Sequence, residues 1–178
     1  MMTDMTGVKQ SSTCGSQLIT GLREGLVRQK VLAEKAFAQL EFADWHATSH
    51  QDGNSIAVLV RHLAGNFTSR FSDFLTTDGE KASRDRDGEF EATSLTPAEL
   101  LAEWDAGWSV LLTALASLTE PDLLTTVQIR GVDHTVMEAL LRSYDHSGHH
   151  VGQIVMLAKR QRGSRWQTLS TPKRRKEQ

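Results

Sequence analysis

The sequence has a single cysteine, Cys14, so an internal disulfide is excluded. A chain with one thiol suits a reducing cytoplasm, and that is the location expected. Proline occurs only 3 times, which leaves long helices permitted almost everywhere. No apolar run approaches the length needed to span a bilayer, and Met1 to Gln17 lacks the apolar core of a signal peptide. Positive charge is not in excess: 20 Lys and Arg against 22 Asp and Glu give a net charge of -2 and a pI near 6.4. That balance argues against a nucleic-acid partner, and no membrane partner is expected either. There is no internal repeat. What remains, 178 residues with 39% hydrophobic and 24% charged, fits one domain large enough to bury a real core.

Residues 1–16 are polar and read as a disordered N-terminus, in which Cys14 is an incidental thiol rather than a nucleophile. The single domain is expected over 17–170, followed by a basic tail at 171–178 that carries Lys173, Arg174, Arg175 and Lys176. From Gln17 to about His46, Leu18, Leu22, Leu26, Leu32, Leu40 and Phe42 recur at helical spacing, and Gln51-Asp52-Gly53-Asn54 ends the segment with a turn. Asn54 or Ser55 can cap a second helix, whose core face runs Ile56, Leu59, Val60, Leu63, Phe67, Phe71 and Phe74. Glu80 to Ser94 is charged, nearly without apolar residues, and reads as a long connection.

Thr96-Pro97-Ala98-Glu99 combines a cap, a first-turn proline and a capping-box glutamate. The stripe that follows holds Trp104 and Trp108 in register with leucines, so the tryptophans read as core rather than as a ligand platform, and Pro121 closes the helix. Thr125 to His134 alternates β-branched residues around Gly131 and predicts a small strand or hairpin. Thr135 or Asp133 then starts the last long helix, which Gly163 ends. The expectation is an all-α four-helix bundle with long connections and a small β-hairpin before the last helix.

Chemistry concentrates in the histidines, of which there are 7. His146 and His150 are four apart within the last helix and share one face, where two imidazoles can hold one metal ion; His149 competes with them. His46 and His50 have the same spacing but run from a helix end into a turn, and read as surface or loop residues. A third ligand is expected from another helix, and His62 is the other histidine inside a well-formed one. Three neutral imidazoles suit Zn, Ni or Fe as the divalent ion and leave positions open for water or substrate. The site is not that of a zinc protease, because Ser147 stands where that motif needs its general-base glutamate. Asn66, Arg142, Asp145 and Gln153 are positioned to contact the imidazoles, and the Arg84 to Asp87 run could reach over the bundle mouth toward an anionic substrate.

Two stretches, Ser55-Ile-Ala-Val-Leu-Val-Arg-His62-Leu-Ala-Gly-Asn66 and His146-Ser-Gly-His-His150-Val-Gly152-Gln153-Ile154, resemble the DinB-like (YfiT-like) superfamily of metal-dependent enzymes. Arg84 to Phe90 and Trp166 to Lys173 resemble an uncharacterised bacterial subgroup of it, and the likeness runs from about Leu18 to Lys173. The resemblance implies a bundle whose divalent metal is held by His62, His146 and His150; its His-x-Gly-Gln-Ile register selects His150 over His149. It further implies a homodimer and a thiol-dependent S-transferase using a low-molecular-weight thiol such as bacillithiol or mycothiol. A metal-dependent hydrolase, or a metal-binding, stress-associated helical dimer without turnover, are the alternatives that the residues leave open.

Overall fold

The computed structural model describes residues 13–48 and 53–170. Helix α1 (Cys14–Phe37) begins at a Thr13 cap whose hydroxyl accepts from the Ser16 N–H. Cys14 to Ser16, expected within a disordered N-terminus, instead open this helix; residues 1–12 lie outside the described residues, as do the turn residues 49–52 and the basic tail 171–178.

The single first helix predicted to His46 is in fact two. The chain turns after Phe37 and restarts as α2 (Phe42–His46), where Glu41 and Asp44 form a reciprocal capping box. Contacts far along the chain hold this break. Gln39 accepts from the Gln167 N–H at 2.8 Å, and Arg162 pairs with Glu41 at 2.8 Å and with Asp44 at 3.0 Å. The turn lets Trp45 pack on Phe37, with ring centroids 4.9 Å apart.

Helix α3 (Ile56–Phe71) starts at Ser55, whose hydroxyl accepts from the Val58 N–H; Asn54 is not the cap. It ends before Phe74, because Ser72 is extended and Asp73 turns through a positive φ of 48°. Phe74 is still buried, outside the helix, against Phe71. Helix α4 (Pro97–Ser117) opens on the predicted Thr96–Glu99 box and ends at Leu118, before Pro121, which instead sits in a short 3-10 turn. Strands β1 (Thr126–Ile129) and β2 (Val132–Thr135) pair antiparallel with Ile129 opposite Val132, so the predicted hairpin is present. Its two turn residues, Arg130 and Gly131, both have positive φ, as a tight two-residue hairpin turn requires. Thr135, not Asp133, caps the long α5 (Val136–Arg162) in a box with Glu138, and Gly163 at φ 53° ends it.

The four long helices close on one another: α3 packs on α4, α1 on α5, α3 on α5 and α1 on α4. The core is dominated by Phe67, Trp104, Trp108, Leu111, Leu140 and Ile154, all almost fully buried. At the α3–α4 seam backbone approaches backbone. A Cβ on Gly107 would lie 2.6 Å from the Ala64 Cα, so no larger residue fits there without separating the helices. Among the described residues no helix is long and apolar enough to cross a membrane.

Candidate metal centre

On α3 the residues His62, Asn66 and Arg70 recur every fourth position and turn toward α5 rather than α4. On α5 the facing residues are Ser143, His146 and His150. Where the two rows meet, three imidazoles converge. The Nε2 atoms of His62 and His146 are 3.2 Å apart, and those of His146 and His150 are 3.1 Å apart. One ring nitrogen from each of the three lies within 4.8 Å of the others, an arrangement that could hold a metal ion.

The protonation pattern follows from what the outer nitrogens touch. His62 Nδ1 lies 2.9 Å from Glu89 Oε2, and His150 Nδ1 lies 2.8 Å from Gln153 Oε1. Both acceptors require an N–H, so each Nδ1 carries the proton and each Nε2 presents a lone pair inward. His146 can supply at most one proton to the space between three inward nitrogens. Lone pairs crowded in this way are stabilised by a shared cation. A tetrahedral ion with bonds of about 2.0–2.1 Å sets its donor nitrogens about 3.3 Å apart, close to the 3.2 and 3.1 Å observed. The donor set therefore fits a divalent ion.

Burial works in the same direction. It lowers the His146 pKa to about 3, helped by the neighbouring His150 and His62, and it lowers that of His150 despite the opposing bond to Gln153. Rings that resist protonation stay available as ligands.

Glu89 is the residue beside the three imidazoles that the sequence pattern concealed. The Glu80–Ser94 connection is packed against the bundle, and a 3-10 turn at Gly88–Phe90 carries Glu89 inward. Burial alone would raise the Glu89 pKa, but the bonds from His62 and Arg84 outweigh it and hold the carboxyl below its ordinary value. Arg84 grips the carboxylate with two parallel bonds, Nε to Oε1 and Nη2 to Oε2, each 2.7 Å. The approach depends on Gly65, since a Cβ there would lie 2.8 Å from the Glu89 Cδ. Phe90 lies against the His62 ring, with centroids 4.5 Å apart. A buried carboxylate on the far nitrogen fixes the imidazole and increases its basicity.

Of the other residues singled out, Gln153 bridges: its Oε1 accepts from His150 and its amide lies 3.4 Å from the Nε2 of exposed His149. His149 is thus outside the convergent group. Asn66 is buried and lines the adjoining cavity, Arg142 stands at its rim, and Asp145 is exposed. His46 lies on α2, away from the three-histidine group, and His50 is outside the described residues.

The cavity beside the three rings measures ≈ 350 Å³ and is walled by Phe71, Phe74, Ile129 and Phe90. The hairpin supplies one wall because Asp78 anchors its turn, accepting from the Arg130 N–H at 2.9 Å and the Gly131 N–H at 2.7 Å. The arrangement offers three nitrogen donors beside space for a small molecule.

None of the curated proteins compared with the chain matches it. The chain belongs to a family of proteins of unknown function, DUF1572, whose family model matches residues 13–175.

Proposed function

For this member of the DUF1572 family we propose a divalent-metal-dependent enzyme in which His62, His146 and His150 hold the ion through their Nε2 atoms. The observation that carries the reading is the inward convergence of three imidazole nitrogens, two of them turned inward as lone pairs by Glu89 and Gln153. The cavity beside them favours turnover over a closed structural site, because it leaves room for a ligand at the open coordination positions. A bound ion of this kind acidifies a thiol or water that coordinates it.

Within that class we favour transfer through a low-molecular-weight thiol, on the resemblance of the His62 and His146–Ile154 stretches to the DinB-like superfamily. A homodimer in the cytoplasm belongs to the same reading. The protein's own residues have separable tasks. Glu89 and Gln153 keep His62 and His150 in the ligating tautomer, and Arg84 keeps Glu89 charged. Phe71, Phe74 and Ile129 exclude water from the reacting pair.

The test is a transfer assay with a small thiol and a chromogenic electrophile, on protein loaded in turn with Zn, Ni and Fe. Activity should vanish on chelation, return on adding the ion back, and be lost in His150→Ala. Thiol consumption no faster than in chelated protein, under all three ions, contradicts the transferase. Metal-dependent ester cleavage in the same preparations would replace it with the hydrolase.

A further inference from the structure

The end of the cavity away from the histidines has a different chemistry. Arg70, Arg130 and Arg142 all line it, and Arg84 and Arg86 line the same cavity. Negative charge is short there. One carboxylate within ion-pair distance, Glu80, serves three guanidiniums, Arg70 at 3.2 Å, Arg130 at 3.1 Å and Arg84 at 3.4 Å, while nearby Asp78 is taken up by the backbone N–H groups of the hairpin turn. Glu89 is committed to Arg84 and His62. Arg142 has no carboxylate within ion-pair distance among the described residues.

Two groups in this region are buried without any partner. One is Nη1 of Arg70, whose side chain is only 11% exposed. The other is the hydroxyl of Ser143, a residue 7% exposed. A guanidinium has donors and no acceptor, so an oxygen is what Arg70 lacks, and the Ser143 hydroxyl is a second unpaired donor on the lining of the same cavity. Burial disfavours the charge on Arg70, and the positive charges of Arg84, Arg130 and Arg142 add to that, against the opposing pull of Glu80. Buried donors left unpaired beside surplus positive charge are the complement of an anion.

We propose that Arg70 and Ser143, backed by Arg130 and Arg142, form an oxyanion subsite for the carboxylate or phosphoryl head of a small organic acid. The apolar middle of that acid lies on Phe71, Phe74 and Ile129, and its reactive end faces the three histidines. The spacing is that of one small molecule. Ser143 is three residues before His146 and Arg70 eight beyond His62, or about 4.5 and 12 Å along their helices. A volume of ≈ 350 Å³ admits such an acid but no polymer. The assignment of the reactive end rests on the metal reading above; the anion subsite does not.

The experiment is calorimetric titration of the full chain with benzoate, phenyl phosphate and the neutral benzamide. It is run on wild type, Arg70→Gln, Ser143→Ala and Arg142→Gln, each before and after chelator treatment. One or both anions should bind roughly 10-fold or more tighter than benzamide, and Arg70→Gln and Arg142→Gln should each erase most of that margin without changing metal content. Which anion wins separates a carboxylate from a phosphoryl head. Arg142 is exposed, so its variant keeps the test valid if Arg70→Gln misfolds. Anions binding no better than benzamide, or equally in wild type and Arg142→Gln, overturn the subsite. Arginine-dependent binding that survives in protein shown to take up no metal upholds the subsite and removes the metal reading; metal uptake without anion binding does the reverse.

Discussion

Against α4, helix α3 is pinched into a dry seam; against α5 it stands off, and histidine and arginine line the gap. Both sides of the helix are buried. On the α4 side Ala64 meets Gly107, and Phe67 packs on Trp108 with ring centroids 4.8 Å apart. On the α5 side His62, Asn66 and Arg70 face a cavity. A bundle of this size does not need that gap for stability, since filling it with leucine would bury more apolar surface. Two of its polar residues are held by specific partners, Glu89 on His62 and Glu80 on Arg70, which is the arrangement of a site rather than of a packing fault.

The sharpest way to break the comparison is to damage each side separately. Trp108→Ala opens the dry seam and should cost about 3–5 kcal/mol of stability, read as a lower urea midpoint. Metal affinity of the fraction that remains folded should change little, because Trp108 touches no ligand.

Glu89→Gln damages the other side. It removes the charge behind His62 and leaves Arg84 with Glu80 as its one remaining carboxylate among the described residues. Metal affinity, measured by competition with a chelating dye, should fall by about 10–100-fold. An unchanged affinity would mean that Glu89 serves Arg84 alone.

A third effect is on pH dependence in metal-free protein. His146 in the folded state titrates at about 3, well below the ordinary histidine value of 6.5, and His150 is lowered in the same direction. Well above pH 6.5 both folded and unfolded chains carry these rings neutral, and their contribution is complete. As pH falls below that, the unfolded chain takes up protons that the folded chain refuses, so stability is lost progressively toward pH 3. Glu89 adds a further loss at the acid end, as its lowered carboxyl is finally protonated. Urea midpoints should therefore drop between pH 7 and pH 5, and bound metal should reduce the drop.

The seam was legible in the sequence and the polar side only in part. Helix α4 follows directly from Thr96, Pro97, Glu99 and a leucine–tryptophan stripe, because caps and periodicity are local signals. The hairpin and the start of α5 were legible for the same reason. The break between α1 and α2 was not: no proline or glycine marks it, and the Glu41–Asp44 box that could have revealed it is short. What enforces the break is contact with Gln167 and Arg162, more than a hundred residues away. Glu89 was hidden by its neighbourhood. A stretch rich in Arg, Asp and Glu reads as solvated when charges are counted, and only the fold shows that Arg84 and His62 bury one of those carboxylates. His62, His146 and His150 lie between these cases: helical spacing brings two of them together, while the third comes from a helix 84 residues earlier.

The central claim is that three inward-facing imidazoles hold one ion. Plasma mass spectrometry of untagged protein, purified without chelator, measures it directly, for wild type and for His62→Ala, His146→Ala and His150→Ala. About one divalent ion per chain in wild type, lost in each folded variant, is the result expected. No ion in wild type even after supplementation, or full occupancy in any of the three variants, would contradict it.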